Sequence, residues 1–331
     1  MIGESKELGL EGIVDLASAY YGSAVLFAAL EHDVFSRVES GKLGEIHRPM
    51  RLLLDACVAV GLLKKEDGVY SNTAAGRETL VPGGATDLTK AIRYNRDVYP
   101  AWGKLSEFVE SGLPVERPQI HLGEDAGRTK AFAAAMFGRA MGIGKGVVPM
   151  MRLEGRVLDL AGGPGAYAIL MCKANPALTC VSVDLPAISA EAKEYVEKFG
   201  LSDRIECRSG DYHTDDFEAE GYDAVTLFGA LHQESPADIV TILSRANRAL
   251  KPGGRIYILD LMTDRTHTAP RFSALFAVNM ALTTENGWGF SDAELDGWLR
   301  ESGFVPEESR QIPPPMPHCL VSAVKERRLQ S

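Results

Sequence analysis

From Gly155 onward, short apolar runs alternate with helix-length segments, and no other feature of this 331-residue chain constrains its fold so tightly. The runs are RVLDLAG, LTCVSVDL, RIECRSGD, YDAVTLFG and GRIYILDL, with two more inside FVPEESRQI and HCLVSAVKE. Segments such as PADIVTILSRANRALKPGG lie between most of them. Strands that are apolar on both faces and alternate with helices imply a parallel sheet covered on both sides, the α/β class. In such sheets ligands bind beyond the carboxyl ends of the strands, where the winding reverses.

The first of these strands runs into a glycine turn, VLDLAGGPGAYAILM. Gly163, Gly165 and Ala168 fit the dinucleotide pattern GxGxxA, and Asp184 lies at the end of the next strand, where a ribose-binding acid belongs. A nicotinamide-dependent dehydrogenase is therefore one reading. The same stretch also offers an acid, Asp159, then Ala161, Gly163 and Gly165 at alternating positions, small residues that let backbone approach a nucleoside or amino-acid tail. Taken alone, the turn leaves both readings open.

The N-terminal part is mainly helical. GIVDLASAYYGSAVLFAALEHDVF carries apolar residues at three- and four-residue spacing, and RPMRLLLDACVAVGLL opens on a proline-favoured first turn and ends at Gly61, so both read as buried amphipathic helices. In LLKKEDGVYSNTAAGRETL, Asp67-Gly68 suits a tight hairpin. Helices followed by a small hairpin suggest a winged helix. Such a domain can bind DNA, and Arg48 and Arg51 would lie on its recognition helix, but Asp55 and the acidity of the chain oppose this. Further helices are expected in VYPAWGKLSEFVESG and RTKAFAAAMFGRAMGIGKGVV.

A formal charge of −10 argues against nucleic acid or an anionic membrane as the main partner. No signal peptide is read before Leu8, and no uninterrupted apolar stretch approaches the roughly 20 residues that span a bilayer, so a cytoplasmic protein is expected. Cys57, Cys172, Cys180, Cys207 and Cys319 form no CxxC pair and the histidines no HExxH, so buried thiols and no metal site are expected.

Three segments beyond the glycine turn decide between its readings. RSGDYH after the third strand, LFGALHQESP after the fourth and LKPGGRIYILD into the fifth resemble the successive motifs of class I S-adenosylmethionine-dependent methyltransferases. From about residue 10 to 326 the chain is similar, motif after motif, to the small-molecule O-methyltransferases of the caffeate, acetylserotonin and hydroxyneurosporene type. The resemblance implies a Rossmann-like seven-stranded methyltransferase domain over 151–331, a helical winged-helix dimerisation domain over 1–100, and connecting helices over 101–150 that contribute to the active site. It also implies a homodimer and a small aromatic hydroxyl substrate, with no nucleic acid or membrane partner.

Carried over residue by residue, the resemblance puts Gly163 and Gly165 under the methionine part of S-adenosylmethionine, Asp184 at the ribose hydroxyls, Leu185 on the adenine, and Asp211 and Tyr212 at the adenine edge and face. Asp159, Gly210, Phe228 and Gly229 complete the expected cofactor site. His232 falls where the family has a histidine that deprotonates the acceptor, and Asp260 where it has an acid orienting that base. The family's aspartate after the histidine is Gln233 here, the next family tryptophan is Glu234, and the second flanking acid falls on Gly289, with Glu285 as the candidate substitute. These departures keep open a methyltransferase fold with hydroxylase, decarboxylase or pericyclic chemistry, and N-methylation stays open because the glycine turn and the ribose acid serve both acceptors. The acceptor walls implied are Met136, Phe137, Phe276, Asn279, Met280 and Trp288.

Overall fold

The computed structural model describes residues 7–83, 86–313 and 317–326. They divide into two compact units, one ending at Tyr99 and the other beginning at Pro100. The stretch 101–150 clusters with the larger unit and does not stand apart from it.

In the first unit, α1 (Leu10–Ser18), α2 (Tyr20–Glu31), α3 (Val34–Glu39) and α4 (Arg48–Ala59) precede a hairpin of β1 (Leu63–Glu66) and β2 (Val69–Asn72), then α5 (Ala74–Leu80). The hairpin turn is Asp67 and Gly68, both left-handed at φ 49° and 79°. Two such residues match the twist of the paired strands, as the dipeptide predicts. Asp55 on α4 anchors the hairpin by accepting from Lys65 at 2.6 Å and Tyr70 Oη at 2.8 Å. The core gathers Leu30, Phe35, Leu54, Cys57, Leu63 and Tyr70.

Two expectations are corrected in this unit. The first apolar segment is not one set of buried helices: α1 buries none of its residues, and α2 buries only Ala29 and Leu30. Its apolar side chains exceed what a core this small can cover. Leu10–Glu31 also has the length and mean hydropathy, 22 residues at 1.6, of a membrane-crossing helix, against the expectation that no stretch approaches it. Glu11 and Asp15 interrupt the run, which is why the sequence reads as short of that length.

Helix α6 (Thr89–Trp102) contains the boundary between the units. In the larger unit, α7 (Leu105–Ser111) and the long α8 (Ala126–Val147) lead into a seven-stranded sheet. Its strands are β3 (Arg156–Leu160), β4 (Thr179–Asp184), β5 (Ile205–Ser209), β6 (Tyr222–Phe228), β7 (Leu250–Asp260), β8 (Phe304–Gln311) and β9 (Cys319–Lys325). Helices α9 (Ala166–Ala174), α10 (Pro186–Lys198), α11 (Pro236–Ala249), α12 (Arg271–Thr283) and α13 (Asp292–Glu301) connect them. The spatial order is β5-β4-β3-β6-β7-β9-β8. The winding reverses between β3 and β6, so their carboxyl ends open the crevice where a ligand fits.

The sequence reading of a parallel sheet holds for five strands; β9 runs antiparallel to both β7 and β8. Two hydrophobic layers cover the faces. One joins Leu158, Val225, Ile242, Leu243 and Leu299, and the other Val157, Ile169, Met171, Leu178 and Tyr257. Neighbouring residues of β3 serve opposite layers, the reason a run apolar on both faces forms a central strand.

Candidate active site

Three left-handed residues in five, Ala161 (φ 53°), Gly163 (57°) and Gly165 (77°), turn the chain from β3 into α9. Gly162 has no room for a side chain, since a Cβ there would lie 2.0 Å from Ser182 Oγ and 2.7 Å from Asp159 Oδ2. The turn folds onto the end of β4, where Gly163 N donates to Asp184 Oδ2 and Leu185 N to Asp184 Oδ1, each at 2.8 Å. Each carboxylate oxygen thus holds one backbone donor and keeps a second lone pair. Burial raises the Asp184 carboxyl to about 6. A vicinal diol offers the two hydroxyl donors that this acceptor pair lacks, so the turn and Asp184 fit a ribose.

Asp159 stands apart from this cradle. It is 1% exposed, receives Thr226 Oγ1 at 2.6 Å and Ser182 Oγ at 3.4 Å, and is pushed up to about 7 by burial. Its oxygens are bonded to β6 and β4, the strands on either side of β3, and with its burial this makes it a brace between strands where a cofactor-facing acid is expected.

At the end of β5, Gly210 is held tightly: a Cβ would meet Asp215 Oδ2 at 2.7 Å and Val183 Cγ1 at 2.9 Å. Asp211 and Tyr212 are half-buried beside it, as is Leu185. Asp211 Oδ1 accepts from His213 N at 2.8 Å, while Tyr212 Oη donates to Glu234 Oε1 at 2.7 Å. Phe228 is core, its ring edge-on to Tyr167 with centroids 4.7 Å apart. Gly229 (φ 67°) ends β6 by donating to Leu259 O at 2.8 Å, and a Cβ there would lie 3.9 Å from His232 Cε1.

His232 lies on the short turn Leu231–Gln233 after β6 and is 9% exposed. Its Nδ1 is 2.7 Å from Asp260 Oδ1, and that oxygen also accepts from Leu261 N at 2.7 Å. A carboxylate accepts only, so Nδ1 carries the proton and Nε2 is left with its lone pair. The Phe276 ring meets the imidazole edge-on at 4.9 Å. Adjacent strands β6 and β7 thus bring this imidazole and its carboxylate partner together.

Residues 119–305 match the profile of an O-methyltransferase domain. The chain belongs to the O-methyltransferase family. This O-methyltransferase is 31% identical over 330 residues to the 3-hydroxy-5-methyl-1-naphthoate 3-O-methyltransferase of Streptomyces sahachiroi, covering 95% of this chain and 94% of that one. To the tetracenomycin polyketide synthesis 8-O-methyl transferase of Streptomyces glaucescens it is 28% identical over 312 residues, covering 88% and 91%. Its fold is that of human N-acetylserotonin methyltransferase, crystallised with S-adenosylmethionine, at a TM-score of 0.83, 24% identity and coverage of 98% and 100%. The chain is an S-adenosylmethionine-dependent O-methyltransferase.

The acceptor residues expected of this O-methyltransferase divide. Phe276 reaches His232, and Met136 is half-buried on α8. Asn279 on α12 accepts from Trp102 Nε1 at 2.8 Å. Indole only donates, so the amide oxygen must face Trp102 and the NH2 group is turned elsewhere. Met280 is buried. Phe137 is stacked 3.9 Å above Tyr195 of α10 and packs in the core layer, not on an acceptor wall. Trp288 is an anchor: its Nε1 donates to Glu234 O at 2.8 Å, its N to His232 O at 3.0 Å, and its ring packs on Trp298 at 5.8 Å.

The second acid is corrected too. Glu285 is exposed and makes no hydrogen bond to His232. At Gly289 a Cβ would come within 2.8 Å of Ala277 Cβ, leaving no space for an aspartate or glutamate.

Two residues escape a reading of the sequence. Glu234 enters it only as a departure from the family, yet it is 5% exposed and joins Tyr212 to Trp288. His318 precedes β9, next to the Cys319 that pairs with Asp260, and burial lowers it to about 4, so it is neutral. Its Nδ1 and Asp260 Oδ2 are both buried without a hydrogen-bond partner. Neither residue carries a motif; each is found only through burial and pairing across distant segments. Among the described residues no group of three or more His, Cys, Asp or Glu is placed to hold a metal ion.

Proposed function

We propose that this enzyme methylates a hydroxyl of a small aromatic compound, with His232 as general base. The observation that carries the reading is the 2.7 Å contact of His232 Nδ1 with Asp260, which leaves Nε2 basic at the carboxyl end of the sheet. S-adenosylmethionine, once bound, supplies an electrophilic methyl on a positively charged sulfur. Gly163 and Gly165 would lie under its methionine part, Asp184 at the ribose, and Leu185, Asp211 and Tyr212 about the adenine.

A phenol of pKa about 10 is a weak nucleophile at neutral pH, while an imidazole near 6.5 can take its proton as the oxygen attacks. Nε2 accepts that proton, and Asp260 stabilises the imidazolium through Nδ1–H. Rigid placement of the acceptor oxygen in line with carbon and sulfur supplies much of the remaining acceleration. The Phe276 ring beside His232 and the Asn279 amide, its oxygen committed to Trp102, suit a flat acceptor with a second polar group. The naphthoate 3-O-methyltransferase among its relatives, by its name, acts on such a compound.

His232→Ala is expected to lower kcat by about a hundredfold or more while calorimetric affinity for S-adenosylhomocysteine stays unchanged. Equal turnover by the variant removes His232 from the mechanism. The first unit, with the helix and hairpin order of a winged helix, serves on this reading as a homodimer interface. Five unbridged cysteines suit a cytoplasmic enzyme.

A further inference from the structure

Glu234 stands two residues after the base, and its side chain is almost fully withdrawn from water. A buried carboxylate is costly unless its oxygens are satisfied. Here Oε1 receives Tyr212 Oη at 2.7 Å, and Oε2 lies 3.3 Å from Nε2 of the half-exposed His213. Both partners come from the loop after β5. The backbone of the same residue accepts the Trp288 indole at 2.8 Å and donates to Leu231 O at 3.1 Å. One residue therefore fastens three loops at the carboxyl ends of the strands: the Tyr212 loop, the His232 turn and the Trp288 loop before α13.

The two halves of Glu234 work differently. Its main chain supports the His232 turn whatever the side chain is, because the Trp288 contact is to a carbonyl. Its side chain reaches only Tyr212 and His213. Removal of the carboxylate thus frees the tyrosine ring and leaves the base and its Asp260 partner in place.

We infer that Glu234 is a positioning residue for the methyl donor: through its carboxylate it holds the Tyr212 ring against the adenine, and so sets donor affinity without taking part in proton transfer. Burial and the Glu234 charge both hold the Tyr212 hydroxyl protonated, as a donor to that carboxylate must be. The inference rests on the reading of Tyr212 as an adenine contact, and the two are separable.

The test is calorimetric titration with S-adenosylhomocysteine, together with the KM for S-adenosylmethionine and kcat, on Glu234→Ala, Glu234→Gln, Tyr212→Phe, Tyr212→Ala and the double variant Glu234→Ala/Tyr212→Phe. Glu234→Ala and Tyr212→Phe are each expected to weaken binding about tenfold with kcat nearly constant. The double variant should be no weaker than the worse single one, since both remove one bond. Glu234→Gln, which keeps an acceptor for Tyr212, should recover most of the affinity. Should Glu234→Ala not fold, Tyr212→Phe and Glu234→Gln read the same bond from its two ends. Unchanged affinity in Glu234→Ala and Tyr212→Phe, while Tyr212→Ala binds weakly, overturns the inference and spares the adenine contact. Unchanged affinity in Tyr212→Ala overturns both. A fall in kcat at constant affinity would make Glu234 a support of the base, against the inference.

Discussion

On the proposed reading of Asp184 as the ribose acid, its affinities for protons and for a nucleoside compete. Burial has raised it to about 6, and on that reading ribose hydroxyls donate to its charged form. The free protein therefore binds more protons than the complex, and affinity must fall as pH drops below about 6. Calorimetric titration with S-adenosylhomocysteine between pH 5 and 8 should show a plateau above 7 and a dissociation constant rising toward tenfold per pH unit below about 6. A flat profile would detach Asp184 from the ribose. Such residues are partly legible in the sequence: Asp184 stands out by its distance from the glycine turn, His232 and Asp260 by their places at strand ends. The partners of Asp159 are not legible, because an acid before a glycine turn looks the same whether it faces a ligand or the next strand. Met136 and Phe137 are neighbours on one helix and about 100° apart around it, so they point in different directions, and sequence does not say which of them packs in the core.

At the scale of elements, the loop from β3 to α9 has little tolerance for change. Gly162→Ala forces a methyl into Ser182 and Asp159, and is expected to cost about 1–3 kcal/mol of stability and to abolish measurable donor binding. Gly138→Ala on α8, where an added methyl meets nothing within 4 Å, should be neutral or stabilising. Urea unfolding and calorimetry of the pair check this, and equal behaviour would contradict it. The central strands are legible because each is a mainly apolar run bounded by polar or glycine residues, whereas β5 and β8 at the sheet's edges are largely polar and are read from their place in the alternation. The direction of β9 is not, because periodicity records which residues are buried and is blind to the sense of the chain. The Asp67-Gly68 hairpin can be read at its true position, since a two-residue turn with both residues left-handed is local chemistry. The exposure of α1 cannot, because an apolar helix face looks the same whatever covers it.

For the whole molecule, that exposed face bears on assembly. Leu10 is 82% exposed, and Ile13, Val14 and Leu16 are each more than half exposed on the same short helix. A second copy of the chain is the covering proposed, and light scattering should return about 72 kDa, twice the 35.8 kDa chain. Val14→Asp with Leu16→Asp should shift that mass toward the single chain. A wild-type mass near 36 kDa, with retention on lipid vesicles, would give the segment to a membrane instead. Sequence supplies the apolarity but not its partner, because a surface is defined by what lies outside the chain.

The antiparallel strand β9 has a consequence for how the enzyme comes into being. It lies between β7 and β8 and pairs Cys319 with Asp260 at the very end of β7. During synthesis the glycine turn, Asp184 and His232 all emerge well before it. Until β9 arrives, β7 has an open edge ready to pair with whatever strand it meets. The carboxylate paired with His232 is therefore mounted on a strand whose edge stays open until β9 is made, and a nascent chain completes the glycine turn and Asp184 before the surroundings of the His232–Asp260 pair are settled.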